Sequence, residues 1–498
     1  MRRAALGGLS LAIAASAESF TIRKVNRETS VRGSSKYFAS QLATGDAVIK
    51  NDQAQDYVIE VSFGGKAATL VLDTGSSDLW LAPLPSVNYN QTFANAKIYN
   101  NLPANLTYGT GSAAGYVAQL DNIGFAGYTV NNQSLLYVTK QDDIFDEIEA
   151  QDSSFGGIVG VGFDTNSEIA TLVSNATHEN WGRSVLSNIF LENPTLPHYI
   201  AIFLDRLGYL NDTGSGTLDI GTYASGYEAV TSQPKHSVFS GYKGGFLQWN
   251  LLVSGLKING ESQTLQTGVT PGKKNGLSNT PPAGTISALL DTGTSLAQLP
   301  TAAWKALYEG MGGVLVKNQS YTQDTLSYAV PCMAEAQLEV TFGNQSVLVH
   351  PLDLTNVSIV TLPDGRNLTA CLSYFQNGSW FGGDNDVILG DSFLRNVYAV
   401  YNYGDLTKTL SGFGGDPFIQ LLPLTDASKA SSEFKESRAN ALSFFPPEIN
   451  ISTINDPNPQ AMSGSSASSG HSNSGPMIIA LPGVLPAIFL VVISALLL

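Results

Sequence analysis

Hydrophobic residues in this chain come in short runs closed by small or polar residues. Residues 68–72 form an apolar run that ends in Asp73-Thr74-Gly75, and residues 288–290 form another that ends in Asp291-Thr292-Gly293. Each run is predicted to be a buried strand, and each tripeptide a tight loop whose glycine admits unusual backbone angles and holds a carboxylate at the strand tip. A second matched pair, Ile158-Val159-Gly160 and Ile388-Leu389-Gly390, follows about 90 to 100 residues after each aspartate. Two halves built on one plan, in a mainly β protein, are therefore expected. The 22 Phe, 20 Tyr and 49 Gly, with many Val, Ile and Thr, suit short strands separated by turns.

The pattern changes at both ends. Met1-Arg2-Arg3, a short apolar stretch to Ala14 and Ala15-Ser16-Ala17 read as a signal peptide, residues 1–17, cleaved after Ala17. A short anchor is the other reading, although the stretch is too short to span a bilayer. Residues 18–50 carry nearly all their charge as Arg and Lys until Asp46, and read as a basic propeptide. At the other end, residues 477–498 hold no charge, and a helix of that length would cover a hydrocarbon core of about 30 Å. No Lys or Arg follows them, so a stop-transfer helix lacks its cytoplasmic flank. With the small residues 463–470 and a polar spacer before it, the tail 476–498 reads as a removed GPI signal, the attachment residue lying between Ser463 and Ser474. A retained tail anchor is the alternative. Residues 426–475, rich in Ser, Asn and Pro, are expected to be a stalk without a core.

Composition narrows the class. Of 498 residues, 43% are hydrophobic and 13% charged, which is globular and excludes wholesale disorder. A net charge of −15 leaves no basic surface for a phosphate backbone, so no nucleic-acid partner is expected. An acidic chain with few ionisable groups suits an acidic workplace. The two cysteines, Cys332 and Cys371, are most economically a disulfide in a secreted chain, with two free buried thiols as the alternative. Acceptor sequons at Asn90, Asn105, Asn132, Asn175, Asn211, Asn318, Asn344, Asn356, Asn367, Asn377 and Asn450 support an exported glycoprotein, although some arise by chance in turns.

A lone Asp-Thr-Gly is an ordinary turn. Two copies with apolar leads and matched downstream elements are not. From about Tyr57 to Leu424 the chain resembles the pepsin-family aspartic proteases. The resemblance rests on residues 71–80 (Val-Leu-Asp-Thr-Gly-Ser-Ser-Asp-Leu-Trp), Tyr108-Gly109-Thr110-Gly111-Ser112, Phe155-Gly156-Gly157-Ile158-Val159-Gly160 and residues 387–393 (Val-Ile-Leu-Gly-Asp-Ser-Phe). It implies a bilobal fold with lobes at 51–226 and 227–425 and a cleft between them. It also implies Asp73 and Asp291 as the catalytic pair, with Ser76 and Thr294 hydrogen-bonded to the carboxylates and Gly75 and Gly293 letting backbone amides approach. Tyr108, Gly109 and Thr110 would form a flap over substrate, Tyr108 meeting Trp80, while Phe155 and Ile158 line apolar subsites or pack the core. The family commonly has a C-terminal-lobe disulfide matching the cysteine pair. The implied protein is a zymogen and a monomeric endopeptidase of peptide or protein substrates, without cofactor or metal. The domain order resembles the fungal GPI-anchored yapsins, placing it at the outer face of the plasma membrane or in the wall.

An acidic run, Asp142, Asp143, Asp146, Glu147, Glu149 and Asp152, reads as a solvated loop; bordering the pocket, it would favour basic substrates. Gly109-x-Gly111-x-x-Ala114 imitates a dinucleotide fingerprint but lacks a following helix. His178-Glu179 begins a zincin pattern, yet Gly182 stands where the second His belongs, and no G-x-S-x-G elbow occurs. The remaining rival is a catalytically silent surface glycoprotein that uses the same fold to bind peptides or wall material.

Overall fold

Strands Gln55–Phe63 and Lys66–Asp73 form an antiparallel hairpin in which Phe63 faces Lys66. Gly64 and Gly65 turn it with φ of 58° and 86°, values that side chains with a Cβ resist. A computed structural model describes residues 18–26, 55–83, 88–109, 111–141, 156–206, 215–243, 245–272, 276–319, 324–362, 364–378, 383–404, 416–455 and 459–462.

The internal repeat has a structural counterpart. Lys66–Asp73 runs parallel to Gly157–Gly160, with Val71 opposite Ile158 and Asp73 opposite Gly160. In the second half, Ile286–Leu290 runs parallel to Val387–Leu389, with Leu289 opposite Ile388. Leu70, Val71, Leu72 and Ala288, Leu289, Leu290 are all fully buried, which explains why both strands read as continuous apolar runs. The fold is mainly β and pepsin-like, as expected.

One large sheet joins the halves: Tyr199–Leu204 from the first pairs antiparallel with Val397–Asn402 from the second, which pairs with Phe418–Pro423. Strand Glu18–Asn26 lies between Ser215–Ile220 and Gln55–Phe63 in this sheet. An aromatic wedge packs above the join. Trp249 lies with its ring centroid 4.1 Å from Phe163 and 4.8 Å from Tyr403, and Trp249 and Phe163 are fully buried. Burying each ring contributes about 3 kcal/mol, and the hydroxyl of Tyr403 keeps its hydrogen bond by donating to Val161 O at 2.5 Å. The wedge therefore grips the strand end next to Asp73, whose carbonyl accepts from Val161 N at 2.8 Å.

The second half also contains two four-stranded sheets. One contains Gly255–Ile258, Leu338–Phe342 and Gln345–Val349; the other contains Val314–Gln319, Asp324–Val330, Asn367–Ser373 and Thr355–Thr361. Cys332 and Cys371 are joined as a disulfide at the second of these.

The expected stalk is corrected over its first part. Ala430–Leu442 is a helix packed on the second half, with Ala430, Phe434, Arg438 and Ala441 buried, and Ile449 farther on is buried too. Those four positions are spaced four, four and three apart, a proper helical stripe. Because one member is an arginine, the stripe does not read as apolar periodicity. Residues 1–17, 27–54 and 463–498 lie outside the described residues, and with them the signal peptide, most of the propeptide, the attachment region and the apolar tail. Among the described residues no helix is long and apolar enough to cross a membrane.

Candidate active site

Each half brings its Asp-Thr-Gly loop to the same place by the same hydrogen bonds. Asp73 Oδ1 accepts from Gly75 N at 2.7 Å, and its Oδ2 accepts from Ser76 Oγ. Asp291 Oδ1 accepts from Gly293 N at 2.9 Å, and its Oδ2 from Thr294 Oγ1 at 2.6 Å. Both carboxyls are fully buried. The loops also touch each other: a Cβ placed on Gly75 would fall 2.6 Å from Asp291 Oδ1, so only glycine lets the first loop approach the second aspartate.

Thr74 and Thr292 lock this approach. Thr74 N donates to Thr292 Oγ1 at 3.1 Å and Thr292 N to Thr74 Oγ1 at 3.0 Å. The hydroxyls pass the bonds on, Thr74 to Leu290 O and Thr292 to Leu72 O. Sequence reasoning assigned these threonines no role; the signal was their place in both copies of the repeat.

The downstream glycines have the same steric origin. A Cβ on Gly160 would meet Ser77 N at 2.5 Å, and one on Gly390 would meet Thr294 O at 2.1 Å. Each strand end thus passes so close to its Asp-Thr-Gly loop that no larger residue fits.

Burial raises the affinity of both aspartates for a proton, Asp73 well above the carboxylate range because the charge on Asp291 adds to burial. Four donors from Gly75, Ser76, Gly293 and Thr294 act the other way, favouring a charge. Two carboxyls that interact in this way titrate as a pair.

Strands Lys97–Thr107 and Ser112–Leu120 form a hairpin with Thr107 opposite Ser112. Tyr108 sits at its tip, where its hydroxyl accepts from Trp80 Nε1 at 2.8 Å and its ring centroid lies 6.3 Å from that of Trp80. Tyr108 is buried, and the negative charges of Asp78 and Asp73 add to burial in pushing its hydroxyl pKa well up. Gly109 is at the bend, while Thr110, Phe155 and the acidic run 142–152 lie outside the described residues.

Of the two readings of Ile158, core packing is the one its surroundings favour. It pairs with Trp80 and Val71 and is 1% exposed within a cluster that includes Tyr108, so it supports the aromatic pair from behind.

Asp78, within the first motif, has a structural task. Its carboxylate accepts from Ser167 Oγ at 2.5 Å, Glu168 N at 3.0 Å and Ile169 N at 3.4 Å, and so seats the start of helix Glu168–Thr177. Burial raises its pKa to about 6.

His178 is the left-handed cap of that helix and is exposed, so the zincin fragment is a helix terminus. Among the acceptor sequons, Asn90, Asn105, Asn132, Asn175, Asn344 and Asn367 are exposed. Asn356, Asn377 and Asn450 are half-buried. The side chain of Asn318 and the whole of Asn211 lie outside the described residues.

Comparison with known proteins gives the same answer as the geometry. The chain is 26% identical over 377 residues to the "Aspartic protease" of Phaffia rhodozyma, covering 74% of this chain and 78% of that one. It is 27% identical over 400 residues to endothiapepsin of Cryphonectria parasitica, covering 77% and 81%. The crystal structure of the aspartic proteinase from Irpex lacteus superposes with a TM-score of 0.52 at 17% identity, covering 83% of this chain and 99% of that one, a likeness of fold. Residues 56–411 match the eukaryotic aspartyl protease family, and the chain belongs to that family.

Proposed function

We propose that this aspartic-type endopeptidase hydrolyses peptide bonds by activating water between Asp73 and Asp291. The observation that carries this reading is the symmetric double loop, in which both buried carboxyls keep the hydroxyl and amide donors expected of a working pair. The two-carboxylate, one-proton scheme is general for aspartic proteases and is taken over for this chain. The ionised carboxylate removes a proton from water as the water oxygen attacks the scissile carbonyl carbon, and the protonated carboxyl gives its proton to the carbonyl oxygen. The tetrahedral species then collapses with cleavage of the C–N bond: the leaving nitrogen takes a proton from the carboxyl that received it from water, and one hydroxyl of the tetrahedral carbon returns its proton to the other carboxylate, which restores the pair. Tyr108 and Trp80 form the flap side of the site, with Gly109 at its bend.

The wider setting is part of the same proposal. The enzyme is exported after removal of residues 1–17, carries glycans, is made with the basic segment 18–50 as propeptide, and is held at the cell surface by a GPI anchor added ahead of the apolar tail. Its yapsin-like domain order supports this reading. The acidic run supports basic side chains in its substrates, as it would draw them by charge.

The deciding experiment is turnover of a peptide library at acid pH by the wild type and by Asp291→Asn. Loss of about 10³-fold or more with an unchanged thermal transition is expected. Equal turnover by the variant would remove Asp291 from the mechanism, and no turnover by either protein would favour a silent peptide-binding protein.

A further inference from the structure

The chain does not end its folded part with the last strand of the joining sheet, Phe418–Pro423, nor with the family match at residue 411. Helix Ala430–Leu442 and the residues to Asn455 lie against the disulfide-bearing sheet, and they reach both cysteines. Arg438 is fully buried, and its Nη1 donates to Cys332 O at 3.4 Å, Thr355 Oγ1 at 3.0 Å and Cys371 Sγ at 3.4 Å, while its Nη2 donates to Thr355 O at 3.1 Å. Its guanidinium carbon lies 5.2 Å from the ring centroid of Phe434, one turn earlier. Glu448 Oε1 accepts from Cys332 N at 2.7 Å.

The segment also extends the sheet. Thr369 N donates to Pro447 O at 2.9 Å, Ile449 N donates to Thr369 O at 2.8 Å, and Ile449 packs with Leu362, Leu368 and Ala370. Farther on, Asn455 Nδ2 donates to Leu315 O at 3.0 Å on the strand at the sheet's other edge. With these contacts in place Cys332 is 1% and Cys371 0% exposed.

We propose that residues 430–455 are a clasp that locks the disulfide-bearing sheet and shuts the Cys332–Cys371 bond off from thiols in solution, with Arg438 and Glu448 as its two catches. Burying a guanidinium is unfavourable unless its donors meet acceptors; here both Nη groups do and the buried Nε does not, so leaving this seating would strip the head of the bonds that offset its burial. The clasp also excludes reductants sterically. Reduction needs a thiolate to approach one sulfur in line with the bond, forming a mixed disulfide and expelling the other sulfur as a thiolate, before a second thiol releases the first. While the clasp is seated, that path opens only by local unfolding.

The inference is independent of catalysis and of the surface anchor, and its test reads neither. The purified full chain, Arg438→Ala, Glu448→Ala and a control, Glu436→Ala on the exposed face of the helix, are incubated with dithiothreitol. Free thiols are then alkylated and counted by mass spectrometry. Reduction about tenfold or more faster in both catch variants, with the control at the wild-type rate, is expected. Rates within about twofold of wild type in both variants would overturn the proposal. Should neither variant fold, hydrogen exchange on the wild type decides. Amides of residues 431–442 and of Ile449 protected as strongly as those of Thr355–Thr361 and Asn367–Ser373 are expected; fast exchange confined to the clasp would overturn it.

Discussion

Thr74 and Thr292 hold each other across the two halves of the molecule: each amide donates to the other's hydroxyl, and each hydroxyl donates to the carbonyl just before the other's aspartate. The two Asp-Thr-Gly loops are thus parts of one closed hydrogen-bond circuit, and the spacing of the carboxyls is set by that circuit. Replacing Thr292 by Ala removes one donor and leaves Thr74 N without its acceptor, which costs about 1–3 kcal/mol of stability. The larger effect is on geometry, and a fall in kcat of roughly 10²-fold with a smaller change in KM is expected. Thr74→Ala is expected to behave alike. The double variant should lose far less than the product of the two, since either change alone breaks the circuit. Steady-state kinetics on the four proteins measures this, and multiplicative losses would contradict it.

Stability should depend on pH with a maximum in acid. Asp78 has a pKa raised by burial from 3.8 to about 6, so the folded state binds its proton more tightly than the unfolded chain. Its contribution is complete below about pH 4 and is lost as pH rises to about 6, a change of about 3 kcal/mol. Burial also raises Asp164 and Asp384, which act in the same direction. Asp353 opposes them: despite burial, Arg206 and Arg395 hold its pKa below 3.8, so its contribution is present above that value and fades as pH falls further. Thermal unfolding followed from pH 3 to 7 should therefore show the highest Tm around pH 4. In Asp78→Asn the decline between pH 4 and 6 should be visibly shallower, and an unchanged slope would remove Asp78 as its source.

Much of the site was legible because chemistry and repetition coincide there. Asp73 and Asp291 could be picked out because two copies of one tripeptide, each after an apolar run and each with a downstream partner, are improbable as mere turns. The glycines at 160 and 390 were visible as markers, yet their reason is contact across space, with carbonyl or amide groups far away in sequence, which no local pattern carries. For Ile158 two readings stayed open for a related cause, since a residue beside the site and a residue behind it have the same hydrophobic signature. The clasp was missed because Arg438 fills a core position with its stem and buries its head among backbone carbonyls, so that the segment reads as polar. Where a fold uses charge inside, hydropathy reports the wrong face.

The contact between Tyr108 and Trp80 should couple in activity. Tyr108→Phe removes the acceptor at 2.8 Å from Trp80 Nε1 and loosens the hairpin tip. A fall of about tenfold in kcat/KM, mostly through KM, is expected if the hairpin positions substrate. Trp80→Phe removes the other half of the same bond, and the pair of changes together should lose little more than either one. Independent, multiplying effects would mean that the two rings act separately.

Two glycine substitutions separate close approach from mere flexibility. A Cβ on Gly390 would stand 2.1 Å from Thr294 O and 2.5 Å from Leu296 O, both backbone atoms that cannot swing aside. Gly390→Ala must therefore push the second catalytic loop, at a cost of about 3 kcal/mol. Because Thr294 Oγ1 holds Asp291, activity should fall further than the loss of folded protein accounts for. Gly310, the last residue of helix Thr301–Gly310, has nothing within 4 Å of an added Cβ and no positive φ. There alanine only reduces the freedom of the unfolded chain and improves the helix, so Gly310→Ala should raise stability by about 0.5–1 kcal/mol with kcat unchanged. Denaturant melts and initial rates on both variants check the contrast, and a Gly390→Ala protein as stable and active as wild type would show that the loop and strand do not meet as closely as described.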